Sequence, residues 1–137
     1  MSTATIRAAL KTQLAAAVTT VNWAESLADS ITPPAGAIER IEGPNRESLS
    51  GSFFRTKFDI VVAVAAIQNG GPLAKTAVDA FVEASGASSI RAALDGDRTI
   101  GGAAQVLIVG DMQDDDQIVA GGIEYSGIRV PVEVWST

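Results

Sequence analysis

Apolar positions recur at three- and four-residue spacing at the start of the chain: Ile6, Leu10, Leu14, Ala17, Val18 and Val21. That period predicts an amphipathic helix over residues 3–21, with Thr3 or Thr5 as its N-cap and Arg7, Lys11 and Gln13 off the stripe. Alanine neighbours add helix propensity. A single apolar stripe implies packing on one side, against a sheet. Residues 22–36 lose the period, and Pro33-Pro34 forbids helix and disfavours a central strand. Ala37–Glu42 predicts a short strand, and Gly43–Ser52 a polar loop.

The pattern then switches to period two. Over residues 53–67, Phe54, Phe58, Ile60, Val62, Val64 and Ala66 share one face. The other face begins Arg55, Lys57, Asp59 and turns apolar at Val61, Ala63, Ala65 and Ile67. The second half of this strand must therefore be covered on both sides, by a helix or a neighbouring subunit. Asn69–Pro72 predicts a turn with Pro72 at the first position of a helix over 72–85, whose inward residues are Leu73, Ala77, Val78, Phe81 and Val82. Gly86 ends it, and Ser88 or Ser89 caps a short helix, Ile90–Leu94, that stops in Asp95-Gly96-Asp97. Residues 104–112 predict a strand, Asp114–Asp116 an acidic loop, and residues 123–135 a last strand in which Ile128, Val130, Val132 and Val134 alternate with Arg129, Pro131, Glu133 and Trp135. Pro131 lacks an N–H, which predicts an edge strand or a donor position facing outward. The order points to one α+β domain, residues 1–137. In it a mainly antiparallel sheet of about four strands packs with an N-terminal helix and a central helix pair.

Composition narrows the chemistry. The 137 residues hold no cysteine and no histidine, which excludes disulfides, thiol nucleophiles, zinc–thiolate sites and imidazole-based catalysis. The formal charge of −6 is uneven. Residues 1–94 balance, whereas Asp95, Asp97, Asp111, Asp114, Asp115, Asp116, Glu124 and Glu133 face only Arg98 and Arg129 in the last third. A solvated, solubilising face is the simple reading; a surface that repels or orients DNA or a basic partner is the sharper one. Clustered bases for general nucleic-acid binding are missing. No apolar run spans a bilayer and no signal peptide is evident, so synthesis in a cytoplasm is expected.

The candidate motifs are weak. Asp95-Gly96-Asp97 offers paired carboxylates but is also ordinary turn chemistry. Asp111–Asp116 fails the EF-hand register, with Asp116 at position six and Gly122 at position twelve. Gly96–Gly102 spaces like a P-loop but lacks the following Lys-Ser/Thr. Lys57 and Lys75 read as solvated cations. Trp23 and Trp135 lie outside the regular core pattern, as core-edge packing or as a subunit contact. These residues imply no metal site, no cofactor and no enzyme.

Four segments and a closing strand carry a resemblance to a known family. They are Thr5-Ile6-Arg7-Ala8-Ala9-Leu10-Lys11; Pro33-Pro34 before Ala37-Ile38; the central strand Phe58–Ala66; and Ser88-Ser89-Ile90-Arg91-Ala92-Ala93-Leu94-Asp95-Gly96-Asp97 followed by Thr99-Ile100-Gly101-Gly102. The closing strand ends Val132-Glu133-Val134-Trp135. In order and length the chain resembles the tail terminator (tail-completion) proteins of phages with long non-contractile tails, their prophages and gene-transfer agents. The resemblance implies a virion structural protein, made in the host cytoplasm and placed at the head-proximal end of the tail. It implies a homo-oligomeric ring, typically a hexamer, that caps the tail tube, stops its polymerisation and receives the head connector. The implied partners are the major tail tube protein, the connector or stopper protein, and DNA passing through without specific binding. Alternatives are a head-completion or neck connector protein, or a dimeric α+β binding domain unrelated to phage. Loops commonly carry contacts. The expected interface residues are Asn45, Arg46 and Glu47 in one polar loop, Asp114, Asp115 and Asp116 in another, and Trp135.

Overall fold

The computed structural model describes residues 3–24, 34–46, 54–66, 79, 81, 89–102, 104–111, 113–120 and 122–136. The opening helix α1 runs Thr3–Ala17 and buries Ile6, Leu10 and Leu14. It stops four residues short of the expected end, because the β-branched Thr19 and Thr20 form a turn; Val18 and Val21 still reach the core from outside the helix. A two-residue strand β1, Asn22–Trp23, pairs in parallel with β2, Ala35–Arg46. Next come β3, Phe54–Ala66, the short helix α2, Ile90–Asp95, then β4, Val106–Val109, β5, Gln113–Ala120, and β6, Ile123–Ser136.

The sheet has six strands, in the order β1-β2-β3-β6-β4, with β5 also on β6. It is antiparallel except at β1, and it is larger than the four strands expected. The predicted helix over 72–85 lies outside the described residues apart from Asp79 and Phe81, both helical, with Phe81 buried in the core. The main core is laid down by period two. Phe58, Ile60 and Val62 of β3 sit beside Val132, Val130 and Ile128 of β6, and together they receive α1 and α2. Fully burying each such side chain contributes on the order of 2 kcal/mol.

Three expectations are corrected by the sheet. Asn45 and Arg46 are not in a loop: β2 continues through them, opposite Arg55 and Phe54, across two irregularities of register. Asp114, Asp115 and Asp116 are not in a loop either: they lie within β5, which forms a hairpin with β6. Ala120 faces Ile123, and Gly122, with φ of +78°, supplies the backbone turn. Finally, β6 is not an edge, since β3 flanks it on one side and β4 and β5 on the other. The missing donor of Pro131 falls at the gap between β4 and β5. There Gly110 N–H donates to the Pro131 carbonyl at 2.7 Å, but Pro131 has nothing to return. The Arg91 guanidinium, reaching over from α2, donates to the Gly110 carbonyl at 3.2 Å instead.

On the Val61–Ala63 face of β3, the cover among the described residues comes from the β5–β6 hairpin, where a helix or a neighbouring subunit was expected. Val61 and Ala63 form a second small cluster with Ile118 and Tyr125 of the curled β5–β6 hairpin. This curl requires glycine at 127, where a Cβ would collide with the Val62 carbonyl oxygen and with Ile118 Cδ1.

Candidate functional site: the open face and edges of the sheet

The sheet face opposite the helices carries alternating charge. Arg55 lies 3.2 Å from Glu133, and Lys57 lies 3.9 Å from Glu133 and 3.8 Å from Glu42. Further along, Arg129 meets Glu39 at 3.1 Å and Asp59 at 3.6 Å. The cross-strand register puts opposite charges side by side: Glu42, Lys57 and Glu133 occupy one rung, which ends on Ile108 of β4. These pairs are partly exposed, so each contributes at most about 1 kcal/mol. Their effect is to tie up the charge of this face within the sheet. Beside the ladder lies a groove of about 290 Å³ whose apolar walls are Ile41, Ile108 and Pro131.

Two exposed side chains stand out at the groove's ends. Ile41 is 54% exposed and Ile108 is 45% exposed. Ile41 is the unpaired residue of a bulge, since Arg40 faces Phe58 and Glu42 faces Lys57. The extra residue re-aims the side chain outward. Ile108 sits on β4, a four-residue strand paired only with β6 among the described residues.

Of the expected interface residues, Asn45 closes a local contact, its amide donating to Glu42 at 2.9 Å. Arg46 ends β2, and Glu47 lies outside the described residues. Trp135 stands between Arg55 on β3 and Val106 on β4; its indole N–H is buried and has no partner among the described residues. Asp114, Asp115 and Asp116 share β5, far along β6 from Trp135. Among the described residues, the backbone positions of Asn45 and Arg46 on β2, Asp114–Asp116 on β5 and Trp135 on β6 thus lie on different parts of the sheet. Trp23 has a structural task. Its indole N–H donates to the Val18 carbonyl at 3.0 Å, just past the end of α1, and its ring fills the space over Gly36.

The Asp95-Gly96-Asp97 turn is also engaged. Asp97 accepts from Thr99 Oγ1 at 2.6 Å, Thr99 N–H at 3.0 Å and Gly101 N–H at 2.8 Å. The Thr99 hydroxyl, followed by the Gly101 and Thr99 amides, holds its carboxyl below the ordinary range. Asp95 pairs with Arg98 at 2.9 Å. Gln13 of α1 fastens this corner, its amide donating to the carbonyls of Ala93, Leu94 and Asp97. Beside it lies an open cleft of about 600 Å³ between Ala9, Ala16 and Ala17 of α1, Ala93 of α2 and the turn that holds Asp97 and Ile100. No group of three acidic side chains converges on a metal-sized point among the described residues.

With Asp95 and Glu133 paired and Asp97 engaged in its turn, the excess negative charge falls on the β5–β6 hairpin. Asp111 before it and Glu124 within it are both exposed, and β5 itself carries Asp114, Asp115 and Asp116. No protein-family model matches the chain, and no curated protein matches it. No described helix is long and apolar enough to cross a membrane.

Proposed function

We propose that this chain is a structural subunit of a phage-type particle, a tail terminator that assembles as a ring on the end of the tail tube, stops its growth and receives the head connector. The observation that carries this reading is the ordered resemblance of its segments, and two of them meet in the fold. The opening helix Thr5–Lys11 belongs to α1, and the most specific stretch, Ser88–Asp97, contains α2 with Ser89 as its N-cap. Gln13 links the two helices. A fold with one covered face, one charge-laddered face and strand edges at both ends suits a subunit that repeats around an axis. The acidic β5–β6 hairpin, in this reading, faces the channel, where negative potential keeps passing DNA from adhering.

The test is electron microscopy of particles assembled without the protein. Tails of irregular or excessive length that carry no heads are expected. Tails of normal length with intact heads reject the role, and tails of normal length lacking heads favour the neck connector alternative. The second test is the location of the hairpin in the assembled ring: carboxylates on the outer rim would reject the channel assignment.

A further inference from the structure

Two strand edges of this sheet match one another in height, direction and chemistry. The rung Glu42–Lys57–Glu133–Ile108 crosses the sheet from β2 to β4, so bulged Ile41, next to Glu42, and Ile108 sit at one level on opposite flanks. Three successive antiparallel steps, β2 to β3, β3 to β6 and β6 to β4, make β2 and β4 run in opposite directions. A rotation about an axis along the strands would therefore bring β4 of one copy beside β2 of the next as an antiparallel pair. Among the described residues the flank of β2 is open for this. β1 pairs only with Ala35 and Gly36, and the rest of β2 has no outer strand among the described residues.

The edges are complementary in charge as well. Glu39 and Glu42 of β2 pair with Arg129 and Lys57, leaving Arg40 exposed on that flank. The β4 flank carries no charge from Gln105 to Gly110, and exposed Asp111 and the acidic β5 follow it. β4 also lacks the charges, prolines and bulges that blunt an edge strand. Gly110 N–H points at Pro131, so by strand alternation the backbone groups of Leu107 and Val109 point away from β6.

We propose that copies of this chain join head to tail, the free edge of β4 and exposed Ile108 of one copy against the outer flank of β2 and Ile41 of the next. A heterologous joint of this kind closes into a ring or runs on as a filament. The proposal deepens the ring reading above and rests on it only for closure.

The natural absence of cysteine makes the test clean. Ile41→Cys, Ile108→Cys and the double variant are oxidised at high protein concentration and separated without reductant. The double variant is expected to give a ladder of dimer, trimer and larger species, ending at one size if the ring closes. Each single variant is expected to stay monomeric, and a mixture of the two to stop at dimer. Efficient dimers from Ile108→Cys alone would establish a two-fold joint and overturn the proposal. So would a double variant that melts like the parent and gives no ladder. The readout uses the isolated protein, so it is separable from tail assembly. A ladder alongside normal tails would reject the terminator role and keep the joint, whereas no ladder alongside aberrant tails would do the reverse.

Discussion

Arg91 and Pro131 should be coupled through a carbonyl that belongs to neither. Pro131 cannot return the hydrogen bond that Gly110 gives it, and Arg91 supplies the missing donor to Gly110 at 3.2 Å. Arg91→Met keeps much of the aliphatic stem and removes the guanidinium. A hydrogen bond from a charged donor is worth about 1.5–3 kcal/mol, and this one is only part-buried, so a loss of about 1–1.5 kcal/mol is expected. In a chain of this size that lowers the melting temperature by roughly 3–5 °C. Pro131→Val restores an N–H aimed at the same carbonyl. In that background Arg91→Met should cost no more than about 0.5 kcal/mol, which leaves a coupling of about 1 kcal/mol between two side chains that need not touch. Urea denaturation of the four proteins, followed by tryptophan fluorescence and circular dichroism, measures the cycle. Equal cost of Arg91→Met in both backgrounds would refute the reasoning, because the guanidinium would then be stabilising something other than the carbonyl Pro131 leaves unserved.

Further outcomes follow from close contacts elsewhere. Gly127→Ala must push β6 away from the Val62 carbonyl or displace Ile118, and should destabilise by about 3 kcal/mol or more in the same denaturation assay. Trp23→Phe keeps most of the ring over Gly36 but removes the donor to the Val18 carbonyl, with an expected loss of about 1 kcal/mol. Asp97→Ala should destabilise at neutral pH. The folded carboxyl sits below its ordinary value, so its contribution is complete above about pH 4 and fades as the pH falls through the lowered value. The gap between variant and parent should therefore close in acid; a gap independent of pH would mean that Asp97 acts by shape alone.

Long periodic runs were readable in the sequence. The stripe Ile6, Leu10, Leu14 is the buried side of α1, and the alternations in β3 and β6 are the two central strands. The need to cover Val61 and Ala63 was also readable, though not the source of the cover, which depends on a hairpin folding back over β3. Three aspartates masked that hairpin. Charge alone suggested a loop, whereas Gly121-Gly122 between Ala120 and Ile123 is a two-residue hairpin signature that would have found it. β1 is two residues long and pairs in parallel with a distant segment, so no local pattern marks it. Of the two readings Pro131 allowed, only the edge strand fails: its missing donor falls at the gap between β4 and β5, where a side chain from α2 serves the Gly110 carbonyl. Among the candidate positions, the bulge at Ile41 arises from a register shift that only strand pairing creates, and sequence reasoning passed it by.

The small cluster of Val61, Ala63, Ile118 and Tyr125 stands apart from the main core. A unit fastened by so few buried side chains opens at lower free energy than the whole molecule unfolds. β5, held by its ladder to β6 and by Ile118, should thus act as a hinged flap on a frame in which β6 stays paired with β3. Its amides should exchange with solvent well before those of Ile60 or Val132, and a protease should cut it first while the rest of the domain stays folded. A flap that carries three aspartates can swing that charge without disturbing the strands that hold the subunit together.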